Sequence, residues 1–362
     1  MIKYVIKRLA LSVFILLGVS LIIYSLVRMK PGLDFIEAKY YAQVQLDDTG
    51  EVQKKVDQQR ELYGLTSPIF QGYLTWLNNM LHGEWGDSFI FSVDTGEVEY
   101  LVDEFDNPIL DAEGNQLTKA ISSSNVLDII ADKSQISFII AFIATVLQFI
   151  IAIPLGITSA YKQYGVVDYS VTVLAMMGIS LPSFFFGALL LWIFAIKLGW
   201  FPYAGLTDPN SGLPTIIDNL HHLVLPITVL VVLSIGGLMR YTRTNMLEVL
   251  NADYIRTARS KGLSEHTVIY KHAFRNTLIP LVTIFAGILP GLFGGALITE
   301  TIFSINGIGQ AAYKAVTQGD IPFVMAYNLF LSFLTVIGTL LSDLMYAVVD
   351  PRVKLVGGSL GG

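Results

Sequence analysis

The residues best suited to chemistry or mechanical work lie between Met239 and Thr277, where seven basic side chains meet three acidic ones. The centre reads Asp253-Tyr254-Ile255-Arg256-Thr257-Ala258-Arg259-Ser260-Lys261-Gly262-Leu263-Ser264-Glu265. Helix formers run to Lys261. Gly262 stands where a helix C-cap glycine belongs, and Ser264 is a fitting N-cap for a second helix reaching about Ala273. Two readings stay open on these residues alone. One is a basic loop that touches anionic lipid. The other is a docking knob, a short helix that meets a protein and passes on a rigid-body push. In the docking reading Arg256 or Arg259 meets partner carboxylates. Ala258 is small enough for close packing, and Gly262 permits a turn with φ > 0.

Enzyme signatures are missing from the sequence. It has no Gly-x-x-x-x-Gly-Lys-[Ser/Thr] phosphate loop, no His-Glu-x-x-His and no Gly-x-Ser-x-Gly. With no cysteine there is no disulfide, thiolate metal site or thiol nucleophile. The histidines (His82, His221, His222, His266, His272) form no adequate metal set, and His221-His222 reads as an interfacial polar pair. Asp103, Asp106 and Asp111 do not match the ligand spacing of an EF-hand, so the acids around them read as a solvated surface. No cofactor and no nucleic-acid partner is expected for this chain.

A second group of candidates is polar residues inside apolar runs: Gln148, Ser180, Ser183 and Asn328, with Pro182 between the two serines. Polar groups in hydrocarbon are functional candidates by default; bonding across helices is the alternative. Glu300, at the outer end of an apolar run, is expected near an external gate or partner surface. Asp343 is expected to be paired near the inner interface.

The elements that must position these residues follow from composition. Of 362 residues 53% are hydrophobic and 14% charged, against about 25% charged in soluble domains. Mean hydropathy is +0.59. Roughly 20 apolar residues cross a bilayer core as helix, and six segments qualify: about Leu9–Val27, Ser134–Ala160, Tyr169–Ile196, Leu220–Leu238, Leu278–Thr299 and Met325–Val349. The first is too long for a signal peptide, and Val27-Arg28-Met29 is a poor cleavage site. Pro154, Pro182 and Pro290 predict kinks.

Charge sets the orientation. Lys3, Lys7 and Arg8, the basic loop 239–277, and Arg352 with Lys354 all belong in the cytoplasm by the positive-inside rule. Both termini are then inside. Segment 31–132, with 19 of the 29 acidic residues and five of the 23 basic ones, is outside. Arg28 and Lys30 oppose this weakly. Within that segment Val52–Tyr63 predicts a polar helix. Pro68–Leu81 predicts an amphipathic one, lying along the membrane surface. Residues 94–119 predict a hairpin or meander.

Asp253 to Leu263, followed by His272-Ala273-Phe274-Arg275-Asn276-Thr277-Leu278-Ile279-Pro280, resembles the signature of binding-protein-dependent ABC importer permeases. The resemblance is closest to the oligopeptide, dipeptide and nickel branch and its B-type permease. The superfamily pattern is Glu-Ala-Ala, three residues, Gly. Arg256-Thr257-Ala258 replaces Glu-Ala-Ala here, a departure that branch shares, and Gly262 holds the glycine. Further matches are Lys7-Arg8-Leu9, Tyr63-Gly64-Leu65 with Pro68, Gly83-Glu84-Trp85-Gly86-Asp87-Ser88, Ser180-Leu181-Pro182-Ser183-Phe184, Glu300-Thr301-Ile302-Phe303 with Gly307-Ile308-Gly309, and Asp350-Pro351-Arg352. Residues 92–124 look like an insertion.

The resemblance implies an all-α membrane protein with six transmembrane helices, the type I ABC importer permease fold, and a small extracytoplasmic α+β insertion. Its parts are 1–30 (N-terminus and first helix), 31–132 (extracytoplasmic domain), 133–350 (five-helix core with coupling loop 239–277) and 351–362 (cytoplasmic tail). It implies a pathway for peptides in a bacterial or archaeal cell membrane. It also implies a second homologous permease, two cytoplasmic ATP-binding subunits that hold ATP and Mg, and an external peptide-binding protein. Asp253, Arg256, Thr257, Ala258, Arg259, Gly262 and Leu263 would couple to the ATPase. Nickel chelates or another small solute are the alternative cargo. An ion-driven secondary transporter or a membrane enzyme are the rivals from other classes, and six spans with one large inner loop fit the former poorly.

Overall fold

In hydrocarbon a backbone must satisfy its own hydrogen bonds, so long apolar runs become helices. The structure is a computed structural model. It describes residues 2–29, 32–100, 118–209 and 211–349. Side chains are described except for 2–5, 97–100, 118–120, 278–280, 282–283, 285–286 and 346–349. Lys30, the acids Asp103, Asp106 and Asp111, the side chains of Lys3 and Pro280, and the tail with Asp350, Pro351, Arg352 and Lys354 lie outside what is described.

The elements in chain order are α1 (Ile2–Arg28), α2 (Phe35–Leu46), α3 (Glu51–Leu62), α4 (Ile69–Leu81), β1 (Val93–Tyr100), β2 (Thr118–Ser123), α5 (Val126–Tyr161), α6 (Val166–Ser180) and α7 (Ser183–Leu190). They continue with α8 (Thr215–Leu250), α9 (Asp253–Ser260), α10 (Glu265–Thr267), α11 (Phe274–Gly287), α12 (Leu289–Phe293), α13 (Leu297–Ile302), α14 (Ile308–Gln318) and α15 (Ile321–Val349). Two π-helical turns, Leu191–Lys197 and Val268–Ala273, extend α7 and precede α11.

Among the described residues four continuous helices, in α1, α5, α8 and α15, are long and apolar enough to cross a membrane, and α6 with α7, bent by 103°, is a fifth if the pair is counted as one span. Two expected spans break at or beside the prolines that predict their kinks. The third is not one rod: the helix stops at Ser180, and Pro182, which lacks an N–H, caps α7 in extended backbone. The fifth is three short helices, α11, α12 and α13. Pro290 opens α12, and Gly295 with φ 72° turns the chain before α13. The fourth is longer than expected, reaching Leu250.

Two compact units divide the described residues. One contains Ile15–Lys133 and Ala311–Phe330. Its core holds Tyr24, Ile36, Val56, Tyr63, Tyr73, Trp76, Met325 and Leu329. Helices α3 and α4 fall where the sequence predicts them. Helix α2 was not foreseen; Asp34 caps it by accepting from Ile36 N and Glu37 N. Tyr73 and Trp76 of α4 face Tyr24, while Phe70, Leu74 and Leu81 are exposed. Of the expected hairpin or meander over 94–119, residues 101–117 lie outside the described residues; the flanking strands β1 and β2 pair antiparallel from Val93↔Ser123 to Tyr100↔Thr118, with an irregularity between Asp94 and Val98. Burial pushes the Tyr63 hydroxyl well above its usual range, and the Asp87 and Asp320 carboxylates add to this.

Arg28, counted above as a stray outer charge, has a structural task in this unit. Its Nη1 donates to Gly64 O at 2.9 Å and to Tyr24 Oη at 3.1 Å, and its Nη2 donates to Ser67 O at 2.9 Å. The left-handed Gly64 (φ 62°) lets α4 approach: a Cβ there would meet Gly72 O at 2.3 Å.

The other unit contains the described residues of Met1–Phe14, Ser134–Gln310 and Leu331–Gly362. A close seam joins α6 to α8. A Cβ on Gly178 would meet Val232 O at 2.5 Å, and one on Gly236 would meet Ala175 O at 2.4 Å. Only glycine permits backbones this close. Gly156 of α5 faces Thr242 of α8 in the same way, with a Cβ contact of 2.7 Å. Asp343 is paired as expected, though with Arg8 of α1 (3.1 Å) rather than with a loop arginine.

Candidate functional site

The helix–glycine–helix elbow forms as the sequence predicts. Helix α9 is amphipathic and buries Ile255 and Ala258. They pack with Ile157 and Ala160 of α5, Met246 of α8, and Val268, Ile269 and Ala273 of the π-helical turn. Gly262 adopts φ 77°, and its N–H donates to Arg259 O at 2.9 Å, closing the helix. Ser264 caps α10, its Oγ accepting from Thr267 N at 3.4 Å and bonding Thr267 Oγ1 at 2.9 Å.

The elbow is braced by its own side chains. Arg259 pairs with Glu265 across the glycine turn, Nε to Oε1 at 2.9 Å. Asn276 of α11 donates to Tyr254 Oη at 2.8 Å, tying α9 to the fifth run. Arg256 pairs loosely with Asp253 at 3.6 Å, the two side chains 73% and 98% exposed. Surface pairs of that kind contribute little to stability, so Arg256 is free to exchange partners. Thr257 is exposed and its hydroxyl donates to Asp253 O, and Leu263 is partly exposed. The candidates thus divide. Asp253, Arg256, Thr257, Arg259, Gly262 and Leu263 lie on the outer surface. Ala258 faces inward, where its small size lets α9 sit close on the chain's own core.

The polar candidates within the runs are scattered rather than gathered into one site. Gln148 Nε2 donates to Ser234 O at 3.1 Å, a link from α5 to α8. Ser180 and Pro182 are exposed and Ser183 half-buried, all at the α6–α7 bend. Asn328 bonds Val324 O of its own helix at 2.7 Å. His221 bonds Trp200 O at 2.8 Å and His222 bonds Gly205 O at 3.1 Å, so the histidine pair fastens the loop before α8.

Glu300 departs furthest from expectation. It is 1% exposed, so its carboxylate lies inside the chain and not on its surface. Its Oε1 accepts from Ser137 Oγ (2.8 Å) and Ala296 N (2.9 Å), and its Oε2 accepts from Gln310 N (2.8 Å). Ser137 Oγ in turn accepts from Ile308 N at 2.9 Å. Gly295, Gly307 and Gly309 leave the room this carboxylate needs; a Cβ on Gly307 would meet Glu300 Cδ at 2.5 Å. Buried carboxylates require such complete pairing. Ser137 was missed in the sequence; the two glycines of Gly307-Ile308-Gly309 were its only trace.

Also missed was Asp168, 4% exposed and gripped by Arg243 through two bonds, Nε to Oδ1 at 2.7 Å and Nη2 to Oδ2 at 2.9 Å. A signal was present: Asp168 is the sole acidic residue between Asp132 and Asp208. Arg243 was read only as one positive charge among several.

Comparison with known proteins agrees with this architecture. The family model described as binding-protein-dependent transport system inner membrane component matches residues 152–355. The chain is 34% identical to the oligopeptide transport system permease protein AppB of Bacillus subtilis, over 98% of this chain and all of that protein. It is 31% identical to the dipeptide transport system permease protein DppB of Alkalihalophilus pseudofirmus, over 98% of this chain and all of that protein. Among solved structures, a chain of the MetNI methionine ABC transporter in inward-facing conformations matches with a TM-score of 0.50 at 15% identity, covering 63% of this chain and 99% of that one. That likeness concerns the fold. The bent third run, the elbow on the basic loop and these matches lead to one conclusion: the chain is a multi-pass membrane protein of the binding-protein-dependent transport system inner membrane component family, and a permease subunit of an ABC importer.

Proposed function

We propose that this permease carries peptides through the membrane for an ATP-driven importer, and that the exposed face of α9 is where a cytoplasmic ATPase subunit pushes. ATP and Mg belong to two such subunits. A second, homologous permease completes the pathway, and an external peptide-binding protein delivers the cargo. Both termini and the 239–277 loop lie in the cytoplasm, and the 31–132 segment lies outside.

The observation that carries this reading is the division of α9. One side, Ile255 and Ala258, is anchored in the chain's own core, while the exposed Arg256 and Thr257 bond to Asp253 of the same helix. A helix held on one side and open on the other transmits a push from a partner. The cargo assignment is supported by the full-length relatives, whose names state oligopeptide and dipeptide transport.

Because the chain has no cysteine, a single Ser260→Cys variant reports sidedness cleanly. Labelling by an impermeant thiol reagent is expected only in inverted vesicles. Labelling from the cell exterior would overturn the reading. Purification in detergent should bring ATPase subunits with the chain, and vesicles holding the complex should take up peptide only with ATP.

A further inference from the structure

The turn between α5 and α6 is built around one carboxylate. Asp168 accepts from Ser159 Oγ at the end of α5 (2.5 Å), from Tyr164 N in the turn (2.9 Å), and from Arg243 Nε (2.7 Å) and Nη2 (2.9 Å) on α8. A planar guanidinium on a carboxylate in this two-pronged way fixes angle as well as distance. Tyr164 holds φ 61°, unusual for a residue with a Cβ, while its side chain is 73% exposed. Packing of that side chain does not impose the conformation; the bond from Tyr164 N to Asp168 supports it.

The position of the clamp in the chain of contacts gives it meaning. On one side Arg243 lies one helical turn before Met246, which is fully buried against Ile255 and Ala258 of α9. On the other, Asp168 opens α6, which runs along the glycine seam at Gly178 and Gly236 to the 103° bend at Leu181-Pro182. The distance from Asp168 to Ser180 is about 18 Å along the helix. The glycine seam provides van der Waals contact and, among the described residues, no side-chain hydrogen bond along its length, so sliding of one helix on the other is opposed there by packing alone. The Asp168–Arg243 clamp at the inner end resists that sliding.

We propose that Asp168 and Arg243 are positioning residues for transport. They make a displacement of α9 and the end of α8 act on α6, and through it on the bend, instead of dissipating as slip between α6 and α8. This rests on α9 being the element an ATPase moves.

The test uses the whole importer, this chain with its partner permease, ATPase subunits and binding protein, in vesicles. Uptake and ATP hydrolysis are measured together. In Arg243→Lys, which keeps the charge but not the two-pronged geometry, and in Asp168→Asn, hydrolysis should stay within about twofold of the parent while peptide taken up per ATP falls about tenfold. The double variant Asp168→Asn/Arg243→Gln should fall no further than Asp168→Asn alone, since both remove one interaction. Unchanged uptake per ATP in Arg243→Lys overturns the proposal. So does a parallel loss of uptake, hydrolysis and assembled complex, which marks a structural role only. If Asp168→Asn does not assemble, Arg243→Lys still decides. Absence of ATP-driven uptake in the parent importer would overturn the α9 reading itself, a separate outcome from normal coupling in the variants.

Discussion

Ser137 and Glu300 lie 163 residues apart in sequence and share a 2.8 Å hydrogen bond inside a buried knot. Each carries a second duty. Ser137 Oγ accepts from Ile308 N, and the Glu300 carboxylate accepts two further backbone N–H groups. The segment from Ala296 to Gln310 is thereby pinned onto α5 at one point.

Replacing Ser137 with alanine should strand Ile308 N and weaken the Glu300 set. The expected cost is roughly 1–3 kcal/mol for buried groups left unpaired. Thermal unfolding of the purified chain in detergent should show a clear drop. Glu300→Gln should do at least as much, because its amide would point N–H at backbone N–H.

Steric room around the same carboxylate gives an independent check. Gly307→Ala would place a Cβ 2.5 Å from both Glu300 Cδ and Ser137 Oγ, whereas a Cβ on Gly237 meets nothing within 4 Å. Gly307→Ala should therefore lower stability by about 1–3 kcal/mol as an overpacking change, and Gly237→Ala should leave it near the parent value. Equal behaviour of the two in the melting assay would contradict the knot.

At the elbow, Gly262→Val forces a β-branched residue into φ 77°. A Cβ on Gly262 would meet nothing within 4 Å, so the penalty is conformational and local. Membrane expression should persist, while ATP-driven uptake is lost. Arg256→Glu, on a side chain 73% exposed, should leave the melting temperature within the scatter of surface changes, about 0.5 kcal/mol, yet weaken retention of the ATPase during purification.

In the unit that holds Ile15–Lys133, Arg28→Met keeps the apolar stem but removes the donors to Gly64 O and Ser67 O. Hydrogen exchange at residues 64–72 should rise. Exchange on α9 should not change.

The sequence made the elbow legible because its signals are local: helix formers, a glycine, a serine cap, all within a dozen residues. The apolar runs were legible for the same reason. The breaks in them were less so. Proline marked the bend at Pro182, but its size depends on how α7 packs with α13 and α8, and Gly295 does not announce its left-handed turn. Helix α2 escaped because Phe35–Leu46 mixes two tyrosines, Glu37 and Lys39 without a clear apolar face. The polar knots escaped most completely. Ser137–Glu300, Asp168–Arg243 and the glycine seams are contacts between distant segments, and nothing in the neighbouring residues of Ser137 or Gly236 foretells the partner. Glu300 was noticed as an oddity but placed on a surface, because a lone acid gives no hint of the donors assembled around it.

Arg28 carries a lesson for reading membrane topology. A guanidinium already wrapped in the carbonyls of Gly64 and Ser67 has little left to offer a phosphate headgroup. It should count as half a vote, or none, when cations are tallied to decide which end of a helix faces the cell interior. A tally that discounted such sequestered cations would find no dissent at Arg28, and would rank exposed side chains such as Arg256 above sequestered ones.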